Sequence, residues 1–267
     1  MLNINFENEE NFFLPSETVE LIEQNTKNKI YDVIFPNISL DKVIVWISFF
    51  QIIIFIISCL LSENLTNPNV QVLLFLGATY GPPIKHGQFW RLIFPIFLHA
   101  NWWHLIVNII CILNLGLVIE SKYKKKVFLL IYFLSGIVGN VLTTICNPCQ
   151  LAVGASTSGF GLIGCSILEI FLAWQYLTAK AKKYYILNIV VFLIFFMFVS
   201  FSPTVDFFGH IGGFLCGAFL VCHYNSFIGY NAFQKSLYYS FGIICTFIIL
   251  YLPVRLFLLY MSCDIYY

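Results

Sequence analysis

The sequence predicts an all-α polytopic membrane protein with seven transmembrane helices. Hydrophobic residues make up 60% of the chain and charged residues only 10%, whereas soluble domains carry about 25% charged residues. Seven apolar segments approach the roughly 20 residues that a spanning helix needs. A formal net charge of +1 gives no electrostatic reason to expect a nucleic-acid partner. The lipid bilayer is therefore the expected surrounding of most of the chain.

Residues 1–42 are expected to form a separate cytosolic tail without stable structure. They carry eight acidic residues against three lysines, with many asparagines, and this composition is typical of disordered segments. No basic stretch leads into a short apolar run with a cleavage site, so we expect no signal peptide. An Arg-rich, acid-poor mitochondrial presequence is not found either.

Lysines between the apolar segments predict the orientation of the chain. We place the segments near 43–62, 102–120, 127–146, 155–176, 185–202, 207–224 and 237–258. Lysines follow the second and fourth segments and precede the seventh; they are Lys122, Lys124, Lys125, Lys126, Lys180, Lys182, Lys183 and Lys235. With seven crossings they all fall on the side of the N-terminus, which the positive-inside rule makes cytosolic. The C-terminus, 262–267, is then expected on the outer or lumenal side.

The outer connection between the first two segments, 63–101, is too long for a simple loop. Its second half, from Trp90 to Leu98, is apolar and aromatic and contains one cation, Arg91. This stretch is too short to span and Pro95 interrupts it, so we expect a lateral element at the membrane interface. Trp90 is then expected at headgroup depth, with Arg91 reaching towards the headgroups.

The second segment carries polar side chains that are rare in membrane helices. His99 precedes it, and His104 and Asn108 lie four residues apart, which places them on one face of a helix. One interpretation is an ordinary hydrogen bond between helices. A metal site suits the group less, because no carboxylate or thiolate accompanies it at the spacing of an HExxH motif. Donors directed at one point fit an oxyanion hole better.

The fourth and sixth segments each begin with small residues and one reactive side chain. Ser156 follows Gly154 at the outer start of the fourth segment, and His210 begins a face that includes Gly213 and Gly217. Small residues alone are explained by close helix packing. If the two faces pack together, however, the Ser156 hydroxyl comes within reach of the His210 imidazole. Serine, histidine and nearby donors are the components of an acyl-transfer site.

In this combination and order, these residues resemble the rhomboid family of intramembrane serine proteases. The matching motifs are His99-x4-His104-x3-Asn108, Gly154-Ala155-Ser156, His210-Ile211-Gly212-Gly213-x3-Gly217, and Trp90-Arg91 in the outer loop. The resemblance covers about residues 43–225, which would form a six-helix core. Residues 226–267 would then form a linker and a seventh, C-terminal helix, as in eukaryotic secretase-type members.

The resemblance implies a role for each matched residue. Ser156 would be the nucleophile and His210 its base, a dyad that needs no acid. The oxyanion donors would be the Ser156 backbone N–H, His104 and Asn108. His99 would be a structural histidine near the outer loop. The implied reaction is cleavage of single-pass transmembrane proteins near the outer side, without a metal or another cofactor.

Two positions depart from the commonest family pattern. Thr157-Ser158 stand where many members have Gly-Ala, and Phe160 stands where some members place a tyrosine against the histidine. Ser158 is turned about 200° from Ser156 around a helix, so both cannot face one histidine. The phenylalanine still offers an aromatic face, but it has no hydroxyl.

Several polar residues lie outside this predicted site. Asp206 is one turn before His210, and we interpret it as a helix N-cap rather than a third catalytic group. Glu169 requires a partner inside a membrane, which the sequence does not name. Cys146 and Cys149 form a CxxC that could be a disulfide or a redox pair, although no thioredoxin-like pattern surrounds it.

Two other functions compete with proteolysis. A non-catalytic member of the same fold, such as a membrane-protein chaperone or retrotranslocation factor, would typically lack the serine or the histidine. A transporter or channel would show internal repeats or a charged pathway, and we see no repeat and no charged pathway beyond Glu169. Without a targeting signal beyond the first helix, we expect a secretory-pathway or plasma membrane. The acidic tail and the C-terminal position of the additional helix disfavour the mitochondrial inner membrane.

Overall fold

The computed structural model describes residues 38–174, 206–225 and 232–247. It also describes shorter pieces, namely Phe35, 177–179, 182–183, 186–187, 189–190, Tyr251 and Cys263. Within these residues the secondary structure is helical, apart from one isolated antiparallel bridge between Thr79 and Ala152. Most of the predicted tail and most of the predicted fifth segment lie outside the described residues. The predicted domain boundaries therefore stay predictions.

Within the described residues, seven α-helices are numbered in chain order, and two of them are short helices of the outer loop. They are α1 Val43–Leu61, α2 Val70–Leu76, α3 Gly81–Lys85, α4 Trp102–Cys146, α5 Ser156–Ala173, α6 Phe207–Asn225 and α7 Ala232–Thr246. Two 3-10 helices, Phe89–Leu92 and Phe94–Phe97, complete the outer loop.

The predicted second and third segments are joined in one helical stretch, α4. Its backbone breaks at Lys124, where φ is 65° and ψ is 162°. The sequence from 117 to 135 has no glycine or proline, so no residue type ends the first half before this point. We call the parts before and after Lys124 the first and second halves of α4.

Apolar length distinguishes the helices. Among the described residues, α1 and α4 are long and apolar enough to cross a membrane, while Ser156–Phe171 and Phe207–His223 are shorter apolar helices. The outer surface of α1 exposes large side chains such as Trp46, Phe49 and Leu60. The predicted number of seven crossings stays a prediction.

Glu120 joins α1 to the first half of α4. Its buried carboxylate accepts hydrogen bonds from the backbone N–H groups of Val43 at 2.8 Å and Ile44 at 3.0 Å. These are two of the four N–H groups that the start of a helix leaves unpaired. Beside them, Lys42 Nζ donates to the Ser121 hydroxyl at 2.9 Å. The start of α1 is thus fixed at the lysine-rich end of the helix bundle.

Glycines bring α5 and α6 into backbone contact. A Cβ atom added to Gly217 would lie 1.9 Å from the Gly161 carbonyl oxygen, and one added to Gly213 would lie 2.0 Å from that of Thr157. On the other helix, a Cβ at Gly164 would lie 2.2 Å from the Phe214 carbonyl oxygen. The α5–α6 interface therefore has no space for a side chain at these positions.

The outer loop contains more regular structure than the sequence predicts, and it buries its arginine. Arg91 is 8% exposed, and its Nη1 donates to the carbonyl oxygens of Leu74 at 2.7 Å and Ala78 at 3.1 Å. The expectation that Arg91 reaches towards the headgroups is therefore wrong. Its guanidinium instead binds carbonyl oxygens in the last turn of α2 and just after it. Trp90 beside it is 49% exposed.

The structure also gives partners to Glu169 and Cys149. Lys122 Nζ lies 3.2 Å from Glu169 Oε1, so the acid of α5 is paired with a lysine near the break in α4. Cys149 forms a disulfide with Cys263, whereas Cys146 is a free, exposed cysteine. The two cysteines of the CxxC motif are therefore not bonded to each other. Its second cysteine bonds across 114 residues of sequence, which local spacing cannot indicate.

Candidate active site

The segment that leads into α5 is held against the outer loop. Thr79 and Ala152 exchange backbone hydrogen bonds of 3.0 and 3.1 Å, and the Gly154 N–H donates to the Pro95 carbonyl at 2.9 Å. Gly154 has a φ of 133°, a conformation that side chains other than hydrogen strongly disfavour. Ser156 follows as the first residue of α5. Its position is therefore set by the outer loop as well as by its own helix.

Ser156 and His210 meet across the α5–α6 interface. The Ser156 hydroxyl lies 2.9 Å from His210 Nε2, and the His210 side chain is largely buried. The ring of Phe160, one turn after Ser156, stacks on the imidazole with a centroid distance of 4.3 Å and an interplanar angle of 21°. A hydroxyl in this relation to an imidazole can lose its proton as it attacks an electrophile.

His104 lies on the other side of the same point. A Cβ atom at Gly154 would lie 2.8 Å from His104 Nε2 and 3.7 Å from the Ser156 hydroxyl. Only glycine at position 154 therefore allows the imidazole of α4 to approach the start of α5 so closely. The Asn101 side chain caps α4 by accepting from the His104 N–H at 2.8 Å.

Asn108 is buried one turn after His104. Its Nδ2 donates to the His104 backbone carbonyl at 2.8 Å. An amide nitrogen carries two hydrogens, so this contact occupies only one of them. The side chain is thus oriented by its own helix and keeps a second proton to donate.

His99 packs behind His104. Its ring is fully buried, and it meets the His104 ring edge to face at 5.3 Å between centroids. Burial, together with the nearby His104, holds the pKa of His99 well below its ordinary value. His99 is therefore neutral at pH 7 and contributes packing rather than charge.

The side chains that follow Ser156 point towards other neighbours. A Cβ at Gly136, in the second half of α4, would lie 2.4 Å from the Ser158 hydroxyl, and one at Gly139 would lie 2.9 Å from Thr157 Cβ. Ser158 is completely buried. It therefore lies against α4, while Ser156 lies against His210.

Asp206 caps α6, as the sequence predicts. Its Oδ1 accepts from the Gly209 N–H at 2.9 Å. Its second contact, to the Thr143 hydroxyl on α4, is not predicted by the sequence. The same is true of the hydrogen bond from the Gly154 N–H to the Pro95 carbonyl. Neither contact can be predicted from the spacing of residues within one segment, because both join residues more than 50 positions apart.

In the part of the chain that the structure describes, no three His, Cys, Asp or Glu side chains are grouped so that they could hold a metal ion. The side chains around the start of α5 offer a hydroxyl, two imidazoles and an amide. Together they offer one nucleophile, one proton acceptor and two further donors.

Comparison with known proteins matches residues 86–226 to the Rhomboid domain. The chain is 44% identical to Rhomboid-like protease 3 of Toxoplasma gondii over 230 residues, which cover 86% of this chain and 87% of that protein. It is 38% identical to Rhomboid-like protease 1 of Toxoplasma gondii over 200 residues, 74% of this chain and 68% of that protein. It is also 33% identical to Inactive rhomboid protein 1 of Homo sapiens over 153 residues, 57% of this chain and 18% of that protein.

Proposed function

The chain belongs to the rhomboid family and is an integral membrane protein, and from this premise we propose that it is an intramembrane serine endopeptidase. In this proposal Ser156 is the nucleophile and His210 is the general base. The observation that carries it is the distance of 2.9 Å between the Ser156 hydroxyl and His210 Nε2. Similarity to two proteins named as proteases supports the same conclusion.

The proposed reaction proceeds through an acyl-enzyme. The Ser156 hydroxyl attacks the scissile carbonyl carbon while His210 Nε2 takes its proton. The resulting oxyanion is stabilised by the Ser156 backbone N–H, His104 and the free amide proton of Asn108. Its charge also lies at the start of α5, where a helix favours anions. His210 then returns the proton to the leaving amine, and water releases the acyl group by the same steps.

The position of the dyad suggests a class of substrate. A spanning helix keeps its carbonyl groups in its own hydrogen bonds, so a scissile bond becomes accessible only where the helix unwinds. Glycine weakens a helix by about 1 kcal/mol relative to alanine. The expected substrates are single-pass membrane proteins with glycine or other weak helix formers near the outer boundary. Hydrolysis also requires that water reaches the dyad from that side.

The Cys149–Cys263 disulfide supports the proposed orientation of the chain. Disulfides persist in oxidising compartments, so the connection before Ser156 and residue 263 are expected together on the outer or lumenal side. The exposed lysines at 124–126 lie at the start of the second half of α4, at the opposite end of that half from Cys149, and favour the cytosol. A secretory-pathway or plasma membrane meets both requirements.

This orientation predicts the outcome of a labelling experiment. For protein at the surface of intact cells, an impermeant thiol reagent should not label a cysteine placed beside Lys125, but it should label one added after Tyr267. A tag at residue 1 should be protected from external protease. Native exposed cysteines are replaced beforehand, and permeabilised cells give the maximum signal. Labelling beside Lys125 from outside would reverse the orientation and the proposed side of cleavage.

A second candidate function is a non-catalytic one. Similarity to Inactive rhomboid protein 1 shows that the family includes members named as inactive. The presence of both Ser156 and His210 favours the protease.

The experiment that tests the protease is reconstitution of the full-length chain in vesicles with a single-pass substrate that carries two glycines near its outer boundary. We expect Ser156-dependent cleavage within a few residues of the glycines, with the site identified by mass spectrometry. The same substrate with leucines at the two positions should be cut more slowly. No cleavage of either substrate, nor of a panel of other single-pass proteins, would favour the non-catalytic candidate.

Asn108→Ala separates oxyanion stabilisation from helix packing. Removing one oxyanion donor typically costs about 10²–10³ in kcat, and KM should change little because the contact forms mainly in the transition state. Asn140→Ala is a matched control, since Asn140 Nδ2 also donates to a backbone carbonyl, that of Leu92, at 2.9 Å. We expect it to lower stability while keeping kcat. An Asn108→Ala protein that behaves like Asn140→Ala would remove Asn108 from the oxyanion hole.

A further inference from the structure

A buried carboxylate joins the first turn of α6 to the second half of α4. Both carboxylate oxygens of Asp206 lie 2.6 Å from the Thr143 hydroxyl, and Asp206 is 9% exposed. Because Oδ1 also accepts from the Gly209 N–H, one side chain caps its own helix and holds that helix to a neighbour.

Two glycines beside this contact leave no space for a side chain. A Cβ at Gly209 would lie 2.2 Å from Asp206 Oδ2 and 2.7 Å from the Thr143 hydroxyl. A Cβ at Gly139 would lie 2.5 Å from the Gly209 carbonyl oxygen. The contact therefore defines both the separation and the rotation of α6 relative to α4 at this level.

His210 lies in the turn that is held in this way. Its backbone N–H donates to the Asp206 carbonyl at 3.1 Å, so its side chain follows any rotation of that turn. Side chains extend about 5–6 Å from a helix axis, and a rotation of about 20° would move the imidazole by about 2 Å. Such a movement would break the 2.9 Å contact with Ser156.

We propose that Asp206 and Thr143 are positioning residues that hold the His210 imidazole at hydrogen-bonding distance from the Ser156 hydroxyl. The inference rests on the proposed roles of Ser156 and His210. Asp206 acts through the helix that it holds and does not touch the reacting atoms. An uncharged side chain of the same shape should therefore suffice. Asparagine can accept from the Gly209 N–H and donate to the Thr143 hydroxyl.

The test measures the position of the imidazole without requiring proteolysis. In full-length Ser156→Cys, a nearby imidazole should raise the thiolate fraction of the new thiol and hence its rate of alkylation by iodoacetamide at neutral pH. Mass spectrometry of the peptide that contains position 156 separates this thiol from the native cysteines. Ser156→Cys combined with His210→Ala gives the rate without the imidazole.

Adding Asp206→Ala or Thr143→Val to Ser156→Cys should lower the alkylation rate at least about 10-fold, since a displacement of 1 Å can change reactivity about 10²-fold. Adding Asp206→Asn or Thr143→Ser should keep it within about 2-fold. With Ser156 restored, the first two variants should lose kcat at nearly unchanged KM, measured well below the Tm of each.

Three results would overturn the positioning role. The first is an equal alkylation rate in all variants, and the second is an equal rate with and without His210. The third is an Asp206→Asn variant that is alkylated as slowly as Asp206→Ala. The last would show that the charge matters rather than the contact. If the variants alter alkylation as expected but the native protein cuts no substrate, the positioning role stands and the protease proposal fails.

Discussion

Ser156→Ala and His210→Ala should each abolish proteolysis while leaving the protein folded. Ser156 supplies the attacking oxygen, and without His210 Nε2 at 2.9 Å no group accepts its proton. In a soluble serine protease, loss of either residue lowers kcat about 10⁶-fold. We expect a loss of the same order here, measured as product formed from a reconstituted transmembrane substrate. The double variant should be no less active than either single one, because the two residues act as a unit.

Ser158→Ala is the matched control for this prediction. Ser158 is also a buried serine of α5, but its hydroxyl lies against Gly136 rather than against His210. It should therefore keep most of the activity. If Ser158→Ala were inactive while Ser156→Ala cut substrate normally, the nucleophile would be Ser158. If all three single variants cut at the wild-type rate, the protein would not be a serine protease of this kind.

Gly217→Ala should disrupt the interface on which the dyad depends, although it adds one methyl group. The new Cβ would lie 1.9 Å from the Gly161 carbonyl oxygen, and ordinary contact begins at about 3.4 Å. The helices α5 and α6 would thus have to separate locally by about 1.5 Å. Overpacking of this kind typically destabilises a protein by about 1–3 kcal/mol. Because Ser156 and His210 lie on opposite sides of the interface, kcat should fall about 10²-fold as well.

Gly159→Ala tests whether the close contact, rather than loss of any glycine, produces this effect. The nearest neighbour of a Cβ at Gly159 is Ile112 Cγ2, at an ordinary distance of 3.6 Å. Alanine is favoured over glycine in a helix by about 1 kcal/mol, so this variant should be as stable as the wild type or more stable. Thermal unfolding and kcat are measured on the same preparations. A Gly217→Ala protein with unchanged Tm and kcat would show that the interface relaxes easily.

The helical class and the approximate positions of most described helices follow from composition and apolar length alone. The predicted starts near 43, 102 and 207 coincide with the observed starts of α1, α4 and α6. The predicted end of the second segment, near residue 120, was less accurate, because the helix continues to the break at Lys124. Charge marks this junction in the sequence, but no glycine or proline ends the helix there.

The candidate site could be listed from the sequence, because hydroxyl, imidazole and amide groups are conspicuous in apolar segments. His104 and Asn108 share a face by helical spacing, and spacing also separates Ser158 from Ser156. Spacing within one helix says nothing, however, about the distance to another helix. The contact between Ser156 and His210 spans 54 positions and depends on glycines that let α5 and α6 touch.

The residue types themselves determined that this chain is helical and membrane-embedded, and they singled out Ser156 and His210 as candidate reactive side chains. The tertiary structure alone decided which charges are paired. Arg91 was expected at the headgroups, but it binds the carbonyl groups at the end of α2. Glu169 meets Lys122, Cys149 bonds Cys263, and Asp206 binds Thr143. Most buried polar groups have a hydrogen-bond partner, and which partner that is depends on packing between segments distant in sequence.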